Sequence, residues 1–256
     1  MLMILSPAKT LDLSIEDIQR IEDSQLAFKD ETKELVSILQ GYSIDELAKL
    51  MKMSEKLAIL NYDRFRNFYE ETTKEYTSIL AFKGEAYKGL AVEDFTEDDL
   101  QYAQKNLRIL SGLYGVIHPL DKIKEYRLEM GTKLKNNLGT DLYSFWGEKI
   151  TIEIEEGIKS SCGEKVLINL ASKEYSSALN INRIKEKYKV VDISFMENRN
   201  GEFKLVGTYA KKARGIMVRY IIKNRINSIE EIKEFNEEGY LFNKQLSSDD
   251  TIIFTR

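Results

Sequence analysis

Three charged residues could carry acid–base or nucleophilic chemistry if the fold brings them together. Lys9 follows the apolar run Leu2–Leu5, whereas Arg127 and Glu129 lie two positions apart just before Gly131. A lysine becomes a nucleophile or base when burial lowers the pKa of its amine, and a glutamate can act as a general acid or base. Residues at i and i+2 share one face of a strand, so Arg127 and Glu129 are expected to pair there. The three residues predict a buried polar site with catalytic potential. The plainer alternative is a buried ion pair beside a glycine-rich turn at Gly112 and Gly115.

A long basic segment predicts contact with an anion. Residues 203–229 contain no acidic side chain and seven basic ones: Lys204, Lys211, Lys212, Arg214, Arg219, Lys223 and Arg225. We expect a helix from Lys211 to Arg225. Positive charge at the start of a helix opposes the helix dipole, so this cluster indicates an anionic ligand or an internal carboxylate partner. A solvated basic face is the plainer alternative.

Two short predicted helices meet at a tight turn around Lys52–Ser54. Ser43 stands three residues before Glu46, a capping-box spacing that predicts a helix over Ile44–Met51, and Ser54 precedes a second helix that runs to about Tyr69. This is the layout of a helix-hairpin-helix unit, in which backbone N–H groups hold a DNA phosphate. Lys52 and Lys56 would add charge. Met53 and Glu55 replace the usual glycines, so a helical hairpin without a ligand is an equal alternative.

Polar side chains follow two predicted strands. Ser6 and Lys9 come after Leu2–Leu5, and Ser172 comes after Val166–Leu170. Loops at the carboxyl ends of strands in α/β sheets often contact ligands, and a lysine there can bind phosphate as a point charge. The first loop lacks the glycines of a nucleotide-binding P-loop. Ser172 is also a plain helix N-cap, which alone would explain it.

Several site types are excluded by the counts of histidine and cysteine. His118 and Cys162 are the sole residues of their kinds, so an internal disulfide and a zinc site of four Cys/His ligands are both ruled out. His118 precedes Pro119 and is interpreted as a loop residue rather than a catalyst. We expect no metal site and no cofactor, although an all-carboxylate iron site stays open.

The predicted elements favour an α+β or mixed α/β fold. Strands are predicted at residues 2–5, 166–170, 190–195, 203–209 and 252–254, with Asn200-Gly201 as a hairpin turn. Helices are predicted from Thr96 to Leu107, from Asp141 to about Ile158, and from Ser228 to a stop at Gly239. Because strands and helices do not alternate strictly, we expect a mixed sheet with surrounding helices. The chain is interpreted as one domain, 1–256, with a helical subdomain over 14–75.

Composition and charge point to a soluble cytoplasmic protein. The 256 residues carry a net charge of −4, with 43% hydrophobic residues and two prolines. No apolar run approaches the ~18 residues of a transmembrane helix, and the first five residues are too short for a signal peptide. We therefore expect no membrane partner.

Whole-chain motifs resemble one known family, the peroxide stress protein YaaA family. The resemblance covers essentially the entire sequence, with small departures at Glu85 and at Ile117-His118. The motifs are Leu5–Leu11, Ala81–Leu90, Leu107–Gly131, Leu142–Gly147, Asn169–Tyr175, Lys211–Gly215 and Phe235–Tyr240.

The resemblance implies a cytosolic protein of the response to hydrogen peroxide that limits iron-dependent oxidative damage. It also implies a mixed α/β fold, a positively charged cleft, a helix-hairpin-helix unit and binding of duplex DNA, with no established enzymatic activity. Backbone contacts carry little sequence information, so weak sequence specificity is expected. The predicted DNA-binding residues are Lys52, Ser54, Lys56, Lys83, Lys211, Lys212 and Arg214.

Two other functions remain open at the sequence level. One is an enzyme acting on a nucleobase or nucleotide, with glycosidase- or lyase-like chemistry carried by Lys9, Glu129 and Arg127. It would require Lys9, Arg127, Glu129 and Lys211 to share one pocket, and its ligand would be a small anion or nucleotide. The other is direct sequestration of iron.

Overall fold

A mostly parallel sheet forms the centre of the protein. The computed structural model describes residues 1–12, 14 and 25–256. Within that part of the chain, the strands are β1 (Leu2–Leu5), β2 (Thr10–Leu11), β3 (Tyr76–Thr77), β4 (Phe82–Lys83), β5 (Leu107–Ser111), β6 (Gly115–Ile117), β7 (Lys122–Ile123), β8 (Val166–Leu170), β9 (Lys189–Arg199), β10 (Glu202–Lys204), β11 (Leu241–Phe242) and β12 (Thr251–Thr255).

Helices surround this sheet. Over the same residues they are α1 (Lys29–Gln40), α2 (Ile44–Leu50), α3 (Glu55–Arg66), α4 (Ser78–Ala81), α5 (Glu85–Leu90), α6 (Glu97–Asn106), α7 (Leu142–Trp146), α8 (Lys149–Ser160), α9 (Lys173–Ser176), α10 (Ile181–Lys185), α11 (Gly207–Lys223) and α12 (Ile229–Ile232). Short 3₁₀ turns cover Val92–Asp94 and Glu237–Gly239.

The strand order of the main sheet is β11-β12-β9-β8-β1-β5-β6, and β10 pairs with β9. The strands from β12 to β5 run parallel, whereas β11, β6 and β10 are antiparallel to their neighbours. All four residues of β1 are buried, as expected for a central strand covered on both faces. The predicted mixed α/β class is therefore confirmed.

Side-chain caps fix the starts of several helices. The Ser43 and Thr96 hydroxyls accept hydrogen bonds from the backbone N–H groups of Glu46 and Asp99, respectively. In return, the carboxylates of Glu46 and Asp99 accept from the backbone N–H groups of Ser43 and Thr96. Ser228 caps α12 by accepting from the Glu231 N–H. These helix starts agree with the sequence prediction because a cap is local chemistry, written within four residues.

Three predicted elements end elsewhere than expected. The helix predicted from Asp141 to Ile158 is two helices, because Gly147 adopts φ +47° and ψ −126° between α7 and α8. The strand predicted over 203–209 stops at Lys204, and Gly207 already begins α11. The helix after Ser228 ends at Ile232 rather than at Gly239.

The helical region predicted over residues 14–75 contains α1, α2 and α3, and α3 packs against both α1 and α2. Residues 15–24 of that range lie outside the described residues, and its status as a separate subdomain stays a prediction. No helix in the described ranges is long and apolar enough to cross a membrane.

Candidate functional site

Two serines meet where the central strands β1 and β8 end. Leu5 pairs with Leu170 in the parallel register, so the residues that follow each strand emerge side by side. The Ser172 backbone N–H donates to Ser6 Oγ at 2.8 Å, and the Ser6 hydroxyl lies 3.3 Å from Ser172 Oγ. Ser172 occupies the N-cap position of α9, but its side chain makes no cap hydrogen bond. Its hydroxyl therefore serves this contact rather than the expected capping role.

A cavity of about 330 Å³ opens at these strand ends, and we call it the strand-end cleft. Its walls come from the loop after β1, from the start of α5, from the start of α9 and from α11. The lining residues are Leu5, Ser6, Pro7, Ala8, Lys9, Thr10, Lys83, Gly84, Glu85, Ala86, Tyr87, Glu129, Leu170, Ser172, Glu174, Tyr175, Lys211 and Arg214.

A glycine contact between α5 and α11 brings the basic helix to the cleft. A Cβ at Gly215 would lie 1.7 Å from the Ala86 carbonyl oxygen, and one at Gly89 would lie 2.1 Å from the Lys212 carbonyl oxygen. Side chains larger than hydrogen at these positions would hold the helices apart. The close approach places Lys211 and Arg214 beside Ala86.

The three predicted chemistry-bearing residues do come together. Lys9 Nζ lies 2.7 Å from Glu129 Oε2, and Arg127 Nη2 lies 3.3 Å from Glu129 Oε1. Residues 124–129 form no strand, so loop geometry rather than a shared strand face makes the Arg127–Glu129 pair. The Lys9 side chain is 61% exposed, so this group is a solvated ion pair rather than the buried polar site expected.

Lys211 and Arg214 lack a hydrogen-bond or ion-pair partner among the described residues. They stand three positions apart on α11 and line the same cavity. Burial lowers the pKa of the Arg214 guanidinium from its ordinary value, and the charge of Asp192 opposes that shift in part. A half-buried cation that has no hydrogen-bond acceptor would be stabilised by an anionic ligand.

Tyrosines form part of the cleft wall. Tyr87 donates its hydroxyl to the Ser6 carbonyl oxygen at 3.2 Å, and Tyr175 lies beside it. Burial raises the pKa of both hydroxyls, well above the ordinary value for Tyr87. Both side chains remain neutral phenols at physiological pH and add no negative charge to the cleft.

A second cavity of about 540 Å³ continues from the strand-end cleft to the α2–α3 turn, and we call it the hairpin groove. The two cavities share Lys9, Glu129 and Glu174. The residues lining the hairpin groove are Lys9, Lys49, Leu50, Met51, Lys52, Arg127, Glu129, Gly131, Thr132, Lys133 and Glu174.

The turn between α2 and α3 places backbone N–H groups at the surface. Lys52 adopts the left-handed φ of +49° that a glycine would take more easily. Ser54 is the exposed N-cap residue of α3, yet its side chain makes no cap hydrogen bond. The first-turn N–H groups of α3 therefore carry no side-chain cap. Lys56 is exposed in that turn but does not line either cavity.

Most other cations of the basic segment are neutralised away from the cleft. Lys212 lies on another side of α11, 2.5 Å from Glu238, and lines a separate groove, which differs from its predicted place in the cleft. Arg219 contacts Asp94 through two hydrogen bonds, and Lys223 contacts Asp99 at 2.8 Å. For Lys212, Arg219 and Lys223, the structure thus shows the internal carboxylate partners that the sequence analysis gave as one alternative.

Charge is uneven across the two joined cavities. Over the described residues, three carboxylates line them, namely Glu85, Glu129 and Glu174. Eight cations line them: Lys9, Lys49, Lys52, Lys83, Arg127, Lys133, Lys211 and Arg214. Lys83 is paired at 2.7 Å with Asp12, which lines neither cavity, so one cation of this excess is compensated from outside. The Lys9–Glu129 pair is already included in the two counts.

Sequence reasoning missed Lys49, Lys133 and Glu174 as site residues. Lys49 could have been found from its spacing, since it precedes Lys52 by three positions. Glu174 gives no local indication, because it is defined by accepting from the Gly131 N–H at 2.9 Å across 43 residues. Such a contact appears only once the fold is known.

The single histidine and single cysteine lie apart from both cavities. His118 is in the loop before Pro119, as expected, with Nε2 3.3 Å from Glu153. Cys162 is exposed and free. Within the described residues, no group of three or more His, Cys, Asp or Glu side chains could hold a metal ion.

Comparison with known proteins gives matches over the whole chain. A family described as "Peroxide stress protein YaaA" matches residues 1–246. A UPF0246 protein of Marinomonas sp. strain MWYL1 is 45% identical over 100% of this chain and 97% of its own length. UPF0246 proteins of Legionella pneumophila strain Corby and Clostridium botulinum strain Alaska E43 are each 45% identical over 100% of this chain and 99% of their own length.

Proposed function

We propose that this chain, which belongs to the peroxide stress protein YaaA family, binds duplex DNA along the hairpin groove and the strand-end cleft. The observation that carries the proposal is the excess of cations over carboxylates in two joined cavities of a protein whose net charge is −4. A local positive field on an acidic protein attracts a polyanion to one surface. In the cytoplasm, the bound protein limits iron-dependent oxidative damage.

The α2–α3 turn supports a phosphate contact. Uncapped N–H groups at a helix N-terminus favour an anion, and α3 is twelve residues long. Lys49 and Lys52 flank this turn, and neither has an ion-pair partner among the described residues. The turn, with Ser54 and Lys56, would therefore act as the helix-hairpin-helix contact to the DNA backbone.

Binding of this kind would be salt-sensitive and weakly specific for sequence. Lysine contacts to phosphate release counterions, so the affinity falls steeply as salt rises. None of the lining cations needs a particular base, because contacts to phosphate position the duplex without reading it.

The test compares two double charge reversals in duplex binding at about 50 and about 200 mM salt. Lys49→Glu with Lys52→Glu changes the hairpin groove. Lys105→Glu with Lys159→Glu makes the same change in charge at the opposite edge of the sheet, where the parallel strands begin. Lys105 and Lys159 lie there because α6 and α8 end shortly before β5 and β8 begin. We expect the first pair to weaken binding by about tenfold or more at the lower salt and to flatten the salt dependence. Equal loss of affinity in both pairs would contradict a localised binding surface.

A second function has one specific observation in its favour. Lys9, Glu129 and Lys211 line one cavity, and Lys9, Glu129 and Arg127 line the adjoining one. This convergence supports the alternative of an enzyme acting on a nucleobase or nucleotide, with Lys9 as nucleophile or base and Glu129 as acid or base. Borohydride trapping of a Lys9-dependent covalent complex with DNA containing an abasic site would test it, with Lys83→Gln as the matched control.

Direct sequestration of iron is tested separately. Titration of the purified chain with ferrous iron under anaerobic conditions would show stoichiometric binding if the protein holds the metal itself.

A further inference from the structure

We propose that the strand-end cleft binds a single nucleoside monophosphate unit, with its phosphate at Lys211 and Arg214. This inference rests on the proposed function, because the same cleft opens onto the groove that would carry the duplex. It adds a ligand class and a defined anion position to a surface that otherwise only attracts charge.

The anion position follows from two unsatisfied cations. Lys211 and Arg214 lie one turn apart on α11 and have no partner among the described residues. Arg219 and Lys223, further along the same helix, are both held by carboxylates. A phosphate accepts several charge-assisted hydrogen bonds at once and would complete the two free cations.

The serines provide a second, independent indication of a ligand. Ser172 stands at an N-cap position without capping, and its hydroxyl proton has no acceptor among the described residues. Ser6 Oγ accepts the Ser172 N–H, which fixes both side chains at the cleft wall. A hydroxyl group held in a cavity with a free proton can donate to a ligand oxygen or ring nitrogen.

The size and walls of the cleft indicate more than a bare phosphate. Its volume of about 330 Å³ is far larger than one phosphate group, and it lies at the lower end of cavities that hold small organic ligands. Apolar and aromatic residues form much of the wall, including Leu5, Ala86, Tyr87, Leu170 and Tyr175. Such walls suit the nucleoside, while the rim of cations suits its phosphate.

Continuity with the hairpin groove offers a route for a nucleotide that is still part of a strand. The two cavities share Lys9, Glu129 and Glu174, so a backbone held by Lys49 and Lys52 would pass the mouth of the cleft. An unpaired nucleotide could then turn into the cleft at a low unstacking cost. A free nucleoside monophosphate carries the same chemistry and is the other source.

The experiment measures binding of a nucleoside monophosphate and of inorganic phosphate to the full chain by calorimetry. The variants are Lys211→Gln and the matched control Lys212→Gln, the next residue on α11, which lies in another groove. Lys211 is exposed, so the substitution is not expected to disturb folding. We expect Lys211→Gln to weaken nucleotide binding about tenfold and Lys212→Gln to change it less than about twofold. Ala8→Phe adds an aromatic ring to the cleft wall without changing the charge and should abolish nucleotide binding.

The source is distinguished by comparing an intact duplex with one that carries a single unpaired nucleotide. A preference for the second duplex that Lys211→Gln alone removes assigns the unit to DNA, whereas nucleotide binding without that preference assigns it to a free nucleotide. The inference is overturned if the wild-type chain binds the nucleotide no more tightly than phosphate, or if both lysine variants behave alike. Failure of the DNA proposal would instead show as an absence of salt-dependent binding of the wild-type chain to the intact duplex.

Discussion

Lys52 combines two properties that substitution can separate, its charge and its left-handed backbone. Its φ of +49° costs a residue with a Cβ about 1 kcal/mol, and glycine avoids that cost but loses more conformational entropy on folding. We expect Lys52→Gly to leave the free energy of unfolding within about 1 kcal/mol of the wild type. The affinity for duplex DNA should fall by severalfold, because one phosphate contact is lost. Urea unfolding and duplex titration measure the two effects.

Lys52→Gln serves as the control for that variant. It removes the charge and keeps the Cβ, so its duplex affinity should match that of Lys52→Gly. A glycine variant that binds DNA as tightly as the wild type would show that the turn contributes through its shape alone.

Asp99 makes the stability of the protein depend on acid pH. Desolvation raises the pKa of this buried carboxyl, but hydrogen bonds from Lys223, the Thr96 N–H and Arg225 lower it further, so the net pKa lies well below its ordinary value. A lowered folded-state pKa stabilises the protein above the unfolded-state value of about 3.9, and this stabilisation is lost as the pH falls through the folded-state pKa. We expect Asp99→Asn to cost roughly 2–3 kcal/mol at neutral pH and progressively less below about pH 5.

Urea unfolding of Asp99→Asn and wild type at pH 7, 5 and 3 measures that difference. Asp98→Asn is the matched control, since Asp98 is the exposed neighbour on α6 and has no ion pair among the described residues. A difference between Asp99→Asn and wild type that stays constant across this range would show that the carboxylate charge is not what ties α6 to α11.

The contact between α5 and α11 depends on two glycines, Gly89 and Gly215. A Cβ added at Gly215 would lie 1.7 Å from a backbone oxygen, which cannot move as a side chain can. We expect Gly215→Ala to lower the free energy of unfolding by about 3 kcal/mol, at the upper end of overpacking costs. Gly207→Ala, at the start of the same helix with nothing within 4 Å, should be neutral or slightly stabilising.

Thermal and urea unfolding would compare these glycine variants. Because α11 carries Lys211 and Arg214, Gly215→Ala should also weaken anion binding in the strand-end cleft. Equal stability of the two alanine variants would mean that α5 and α11 separate at little cost.

Local chemistry explains which elements could be predicted from the sequence. The caps at Ser43 and Thr96 and the turn at Asn200-Gly201 are each written within a few residues, and each occurs where expected. β5 and β6 were not predicted, because Gly112 and Gly115 indicated a glycine-rich turn or a close approach of the backbone. In the fold they let Leu128 and Trp146 pack against the backbone.

The candidate site was predictable in part, from the complementary charges of residues that are far apart in the sequence. Lys9, Arg127 and Glu129 were expected together, and they are in contact. Lys211 and Lys212 looked equivalent as neighbours in sequence, yet adjacent helix positions differ by about 100° and face different grooves. Which of the two lysines reaches the cleft depends on which face of α11 is buried, and that is known only from the fold.

Across the entire protein, the two edges of the parallel sheet carry different electrostatic roles. The strand ends open onto the cation-lined cavities, whereas Lys105 and Lys159 lie where α6 and α8 lead into the opposite edge. Strands of four or five residues separate these edges by about 13–17 Å. That separation exceeds the Debye length of about 8 Å at physiological ionic strength but not the length of about 30 Å at 0.01 M salt.

Reversing Lys105 and Lys159 to Glu takes the net charge from −4 to −8 without touching either cavity. We expect this variant to bind duplex DNA within about twofold of the wild type at about 0.15 M salt, because screening hides the distant charges. At about 0.01 M salt its affinity should fall clearly below that of the wild type, since the added negative charge then repels the duplex. Duplex titrations at both salt concentrations measure the effect. A strong loss at the higher salt would place DNA on the opposite edge of the sheet, and no loss at the lower salt would mean that long-range charge does not govern the encounter.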